Sequence, residues 1–389
     1  MTIVVSPDSF KGNMSAPVVC SAIEAGIQRA YKKAKIHKIP LADGGEGTAK
    51  AVTEAAGGNF VKVTVKGPLG KKVTAEFGLI NRGKTAVLDM ASASGLELLK
   101  RSELNPMKAT SYGTGELIRA ALDSGAKELI IGIGGSATND GGIGMLSALG
   151  FGILDRDGKP AGEGGEALAK IASVDISGAD KRLKDVSIKV ACDVTNPLLG
   201  PSGASAVFGP QKGATPEMIK KLDAGLGKLG RALIRAGLAK DTEQSGDGAA
   251  GGLGAALRIC LGAKMESGAL LVMRYAGFFE RLKEADLVIT GEGMTDSQTA
   301  GGKLCSVVAR ESRKAGVPVA LLSGGLGGDA GSLLAPAKQA APATQVFDYA
   351  VSISCGQTGL EAMIRDSERD LGLAAENLIR AILIGKKIK

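Results

Sequence analysis

Residues 2–12 read TIVVSPDSFKG, and residues 37–48 read HKIPLADGGEGT. TIVV is a short β-branched run stopped by Pro7, the pattern of a buried strand leaving its sheet. Ser15 then precedes an apolar-periodic stretch from Val18 to Tyr31, with Pro17 in its first turn. A Ser N-cap with Pro just inside it starts a helix. A second strand, His37 to Leu41, runs into ADGGEGT, and a helix from about Thr48 to Ala56 stops at Gly57-Gly58. Strand, loop and helix twice over begin a parallel α/β layer.

From residue 60 the period changes. FVKVTVKG (60–67), KKVTAEFGLI (71–80) and TAVLDMA (85–91) alternate at period two between Gly-containing turns, which predicts antiparallel strands. Helix signals return from Ser111, followed by the strand ELIIGI (128–133) and the loop GGSATNDGG (134–142) opening another helix. VSIKVACDV (186–194) is strand-like, and residues 216–265 read as helical around SGDGAAGGLG. ADLVIT (285–290) is a strand, GEGMTDSQT a loop, and residues 303–315 a helix. VPVALLSGG and YAVSIS complete the strands, and a helix from about Leu360 closes the chain. Both chain ends are thus parallel α/β and the middle is not. The expected architecture is an open parallel-sheet domain, flavodoxin-like or Rossmann-like, built from residues 1–60 and 284–389. A mixed α/β domain, residues 61–283, is inserted into it.

Composition narrows the function. A chain of 389 residues fits two or three domains. Hydrophobic residues at 44% and charged residues at 23% exclude a disordered tail or a fibrous repeat. Only 3% are aromatic, too few for a surface that stacks single-stranded bases. The net charge of +8 is spread among 40 acids, which suits anionic small molecules better than nucleic acid. Five widely spaced cysteines, without C-x-x-C, suggest a reducing compartment. With no signal-peptide pattern and no spanning apolar run, the expectation is a cytoplasmic protein without membrane partners.

GLINRGKT (78–85) matches the Walker A expression, yet the mechanism needs a helix after the lysine. AVLDM is another strand, so Asn81-Arg82-Gly83 reads as a hairpin turn.

Five loops combine strand ends, glycines and ionisable groups. They hold Asp8 and Lys11; Asp43 and Glu46; Ser136, Thr138, Asn139 and Asp140; Asp193, Thr195, Asn196 and Lys212; and Glu292, Asp296, Ser297 and Lys303. Each alone is also ordinary turn chemistry. Together they supply what phosphoryl transfer uses: small residues for phosphate oxygens, lysines for charge, carboxylates for Mg²⁺ and for a substrate proton. The single histidine, His37, offers little for Ser-His or Cys-His chemistry.

PDSFKG, LADGGEGT, SYGTGELI, GIGGSATNDGG, ACDVTNPLLGPSGAS, FGPQKGAT, GDGAAGGLG and ITGEG…DSQT…GK occur in that order over residues 7–303. In this set the chain resembles the bacterial glycerate kinases that phosphorylate D-glycerate at O2. The resemblance implies small-molecule substrates, glycerate and ATP, with Mg²⁺, and leaves room for a homo-oligomer. It also implies Arg after GEG, where this chain has Met294: either that Arg is not essential, or Arg82, Arg274 or a lysine replaces it, or the substrate differs somewhat.

The chemistry then assigns roles. Asp193 is the candidate base, and Lys11 and Lys212 neutralise the transferred phosphoryl group. Asp8, Asp43, Glu46, Asp296 and Ser297 are candidates for binding glycerate, with Asp43, Glu46 and Asp296 also candidates for Mg²⁺. Gly134, Gly135, Ser136, Thr138, Asn139 and Lys303 are candidates for cradling ATP. Two other readings stay open. A nicotinamide-dependent oxidoreductase would use Gly132, Gly134 and Gly135, but Ala137 breaks G-x-G-x-x-G and Asp155 follows a weak strand. A non-catalytic organic-acid sensor would bind glycerate without turning over ATP.

Overall fold

β-branched runs next to proline and glycine set the strand ends, and amphipathic helices cover the sheets they form. The computed structural model describes residues 1–10, 12–41, 47–296, 304–328, 333–334, 347–354 and 359–388. The first half of the chain runs β1 (Thr2–Val5), α1 (Ala16–Ala30), β2 (Lys35–Lys38), α2 (Thr48–Ala55), β3 (Asn59–Lys66), β4 (Lys72–Ile80), β5 (Thr85–Asp89), α3 (Ala91–Ser94), α4 (Tyr112–Asp123), β6 (Glu128–Gly132), α5 (Ile143–Ala148), β7 (Gly152–Leu154), β8 (Ser173–Asp175) and β9 (Ser187–Ala191). The second half runs α6 (Ala204–Phe208), α7 (Pro216–Arg235), α8 (Ala249–Leu261), β10 (Lys264–Glu266), α9 (Gly268–Tyr275), α10 (Phe278–Leu282), β11 (Leu287–Thr295), α11 (Leu304–Lys314), β12 (Val319–Leu326), β13 (Tyr349–Ser352) and α12 (Leu360–Ile388).

Packing divides the chain into two units, Met1–Asp43 with Ala269–Lys389, and Gly44–Gly268. The first unit holds a five-stranded sheet in the order β13-β12-β11-β1-β2. Every pairing in it is parallel. Counted along the unit, this is the 2-1-3-4-5 order of flavodoxin-like sheets. Ile3, Val5, Ile289 and Leu322 share one buried cluster with Val19 and Ile23 of α1 and Leu371 and Ile379 of α12.

The second unit holds a six-stranded sheet in the order β10-β9-β6-β5-β4-β3. β3, β4 and β5 pair antiparallel, as their period-two alternation predicts, and β5, β6, β9 and β10 are parallel. The Walker-like stretch is the β4–β5 hairpin: Ile80 pairs with Thr85, and Asn81, Arg82 and Gly83 take φ of 52°, 58° and 79°.

Two sequence expectations need correction. GEGMT is not loop but the end of β11, paired to β12 as far as Thr295↔Leu326. Its glycines belong to the strand because the backbones approach closely. A Cβ at Gly291 would overlap the Leu322 carbonyl, and one at Gly324 would overlap the Gly293 carbonyl. Residues 264–266 are likewise not helix but β10, an edge strand on β9.

Candidate active site

In the first unit, the strand order reverses between β1 and β11, where open α/β sheets receive ligands at the strands' carboxyl ends. Two acids occupy that position. Asp8 follows β1, only 9% exposed, and its Oδ1 accepts from Ser9 N at 2.6 Å. Its own backbone N donates to Gly291 O at 2.9 Å, which ties the turn to β11. Glu292 is equally buried near the end of β11, and Thr295 Oγ1 lies 2.9 Å from both Glu292 Oε1 and Ser323 Oγ. Beneath them Cys305 donates to Gly291 O at 3.2 Å. Burial, then the Glu292 and Asp8 carboxylates, hold its thiol well above the usual range. The cysteine therefore stays a protonated filler. The side chains at this switch point offer oxygens, a donor set that suits Mg²⁺. Among the described residues no three His, Cys, Asp or Glu side chains form a metal cluster, though Mg²⁺ often takes only one or two carboxylates together with substrate phosphates.

In the second unit, β6 and β9 are adjacent and parallel, with Gly132 opposite Ala191 at their carboxyl ends. The loop after β6 is built inward. Gly134 and Gly135 are half-buried, and Ser136, Thr138, Asn139 and Asp140 are buried. Asp140 Oδ2 accepts from Ser111 N and Ser111 Oγ, both at 2.8 Å, and Oδ1 accepts from Gly142 N at 3.0 Å. Burial raises its pKa, and those hydrogen bonds oppose the rise. Asn139 Nδ2 reaches Ser205 Oγ at 3.0 Å. Gly251, at φ +69°, lies so close to this loop that a Cβ would overlap the Thr138 carbonyl. The start of α8 that carries it is fixed by Arg258, which grips Asp247 through Nε at 2.8 Å and Nη2 at 2.7 Å.

Lys212 reaches the same loop from the turn before α7. Its side chain is 1% exposed, and Nζ donates to Ser136 Oγ at 2.7 Å and Thr138 O at 2.6 Å. Burial lowers its pKa to about 7, against the opposing pull of Asp140.

Asp193 stands differently. It follows β9, is exposed, and its Oδ1 accepts from Gly268 N at 3.2 Å. Thr195 beside it is exposed, and Asn196 spends its amide on Ser202 O at 2.8 Å.

The structure thus brings Ser136, Thr138 and Lys212 together, with Asn139 beside them. It places Asp193 at the end of the neighbouring strand and Asp8 at the switch point of the first unit. Asp296 is half-buried directly after β11. Lys11, Asp43, Glu46, Ser297 and Lys303 lie outside the described residues. His37 sits on β2 with Nε2 buried and unpartnered among the described residues, and burial, then Arg281 and Lys35, lower its pKa. Three groups escape sequence reasoning as site supports. In the sequence Glu292 is one acid among the small polar residues of GEGMTDSQT. Asp140, between Asn139 and Gly141, reads as turn chemistry. Asp89 ends β5, and its Oδ2 accepts from Gly47 N and Ala49 N at 3.1 Å each, so a carboxylate already occupies the α2 N-terminus. An acid closing a strand just before a helix is the only signal for Asp89, and it is weak.

The flavodoxin-like sheet of the first unit, with carboxylates at its switch point, and the glycine loop of the second, braced by a buried lysine, are features of an α/β enzyme. The pattern of the glycerate kinase family matches residues 3–383. Glycerate kinase of Haemophilus influenzae is 44% identical over 386 residues, covering 98% of this chain and 99% of that one. Glycerate 2-kinase of Escherichia coli K12 is 44% identical over 387 residues, covering 100% of this chain and 99% of that one. A solved structure from Salmonella typhimurium LT2, provisionally named glycerate kinase 2, superposes with a TM-score of 0.88 at 44% identity, covering 100% and 99%. The chain belongs to the glycerate kinase family, and it is an enzyme. Among the described residues no helix is long and apolar enough to cross a membrane.

Proposed function

We propose that this enzyme transfers the γ-phosphoryl group of ATP to O2 of D-glycerate, giving 2-phosphoglycerate and ADP, with Mg²⁺ and in the cytoplasm. The likeness to the Escherichia coli protein named glycerate 2-kinase, along 100% of this chain, carries the reading. Asp193 takes the O2 proton: it is an accessible carboxylate at a strand's carboxyl end, and basicity there is what the attacking hydroxyl needs. O2 then bonds to the γ-phosphorus as the bond to the ADP oxygen breaks. Gly134, Gly135, Ser136, Thr138 and Asn139, with Lys303, cradle phosphates. Lys11 supplies positive charge, and Lys212 acts through the loop it braces. Asp8, Glu46 and Ser297 bind glycerate, with Asp43 and Asp296. Asp43, Glu46 and Asp296 are the carboxylates that would hold Mg²⁺, whose chemistry is to neutralise phosphate charge.

A coupled ADP-release assay across a panel of small hydroxy acids tests this. Glycerate should be turned over fastest, and EDTA should abolish turnover. ADP release unaffected by glycerate, or full activity in EDTA, would refute the proposal.

A further inference from the structure

Lys212 is a long cationic side chain sealed inside the second unit, and its surroundings do not serve a charged amine well. A protonated amine has three N–H donors. Its acceptors among the described residues are two, Ser136 Oγ and Thr138 O, and both are uncharged. A neutral amine is better served by the same two groups: it has two N–H donors, one for the Thr138 carbonyl and one for Ser136 Oγ, and only its lone pair is left over. Asp140 is the charged group that acts on it, but Ser111, Gly142 and Gly144 already donate to that carboxylate. Thr138 Oγ1 and Asn139 Oδ1 are also buried without a partner among the described residues. The underside of the loop therefore holds hydrogen-bonding capacity that its own packing leaves unused.

The geometry points to Lys212 as a positioning residue of variable charge: its amine fixes the backbone from Ser136 to Thr138, and it gains a proton when an anionic phosphoryl group occupies the loop. This rests on the reading that residues 134–139 receive ATP phosphates. The proton comes from solvent, and no covalent bond other than N–H forms. An opposite charge within about 4–6 Å raises such a pKa by about 1–3 units. From a starting value of about 7, Lys212 at pH 8 passes from mostly neutral to half or fully charged. Binding should then draw in about half a proton to one.

Calorimetric titration of ATP into the full-length protein at pH 8, in two buffers of different ionisation enthalpy, counts that proton. Wild type should take it up, and Lys212→Met should not. The variant should also lose about 10²-fold in kcat with the KM for glycerate nearly unchanged, the cost of a misplaced loop rather than a lost substrate contact. Ser136→Ala removes only one acceptor, so it should keep the proton uptake and lose about tenfold in kcat. No uptake by wild type overturns the inference without recourse to any variant, and so does equal uptake in wild type and Lys212→Met. Failure of ATP to bind sinks the functional reading and this inference with it. ATP turnover with equal proton counts sinks the inference alone.

Discussion

The loops after β6 and after β9 leave the same end of one sheet, from strands that pair directly, and they are built in opposite ways. After β6, Ser136, Thr138, Asn139 and Asp140 turn inward, and Lys212, Ser205 and Ser111 hold all four from other elements. After β9, Asp193 and Thr195 face outward, and Asp193 accepts from the backbone N–H of Gly268, 75 positions further on. A group that exchanges a proton with a substrate must be reached. A backbone that receives a polyanion must not move when the anion arrives. In the reaction we propose, the second loop carries the chemistry and the first the rigidity, and substitutions in the two should fail in different ways.

Asp193→Asn should show the largest effect. Asn keeps the shape and the acceptor for Gly268 N but loses basicity, so kcat should fall by about 10²–10⁴-fold. The KM for glycerate and the melting temperature should hardly change. Steady-state kinetics that retain more than about a third of the wild-type kcat would move the role to another carboxylate, Asp296 first.

Asp140→Asn should do the reverse. It places an NH₂ among the donors of Ser111, Gly142 and Gly144, at a cost of about 3 kcal/mol in stability. Denaturant unfolding measures it, and a loss below about 0.5 kcal/mol would mean the loop is not braced there.

Lys212 separates the two loops by pH. Its folded pKa of about 7 lies below the unfolded value, so between about pH 7 and 10 the unfolded chain binds more protons and stability rises with pH. Wild type should gain up to about 1.4 kcal/mol per pH unit over Lys212→Met in that window. Parallel stability curves for the two proteins would contradict a buried, readily neutralised amine. The smallest effect belongs to the outer loop: Thr195→Ala should change stability by less than about 0.5 kcal/mol in thermal unfolding, and a larger loss would show that loop to be braced as well.

The sequence discloses the architecture where period and turn chemistry are local. TIVV, ADLVIT and the alternation of residues 60–80 give β1, β11, β3 and β4 without tertiary information. It hides β11 beyond Thr290, because glycines that let two strands approach look like glycines that make a loop. It also hides which loop residues are buried. Asp140 and Asp193 both follow strands among small polar residues. Only the arrival of Ser111, brought in from 29 positions away, makes the first a brace. Lys212, in FGPQKGAT, reads as a lysine placed to meet a phosphoryl group, and the sequence gives no sign that it is buried against Ser136 and Thr138, 76 and 74 positions away. Met294, where the family resemblance implies Arg, is 60% exposed on β11, and nothing in the structure explains the replacement.

Phosphorus NMR of the product formed from D-glycerate and ATP tests the central claim most directly. The account predicts a secondary phosphate ester, 2-phosphoglycerate, whose phosphorus couples to the single proton on C2. A primary ester, 3-phosphoglycerate, coupled to the two C3 protons, would contradict it.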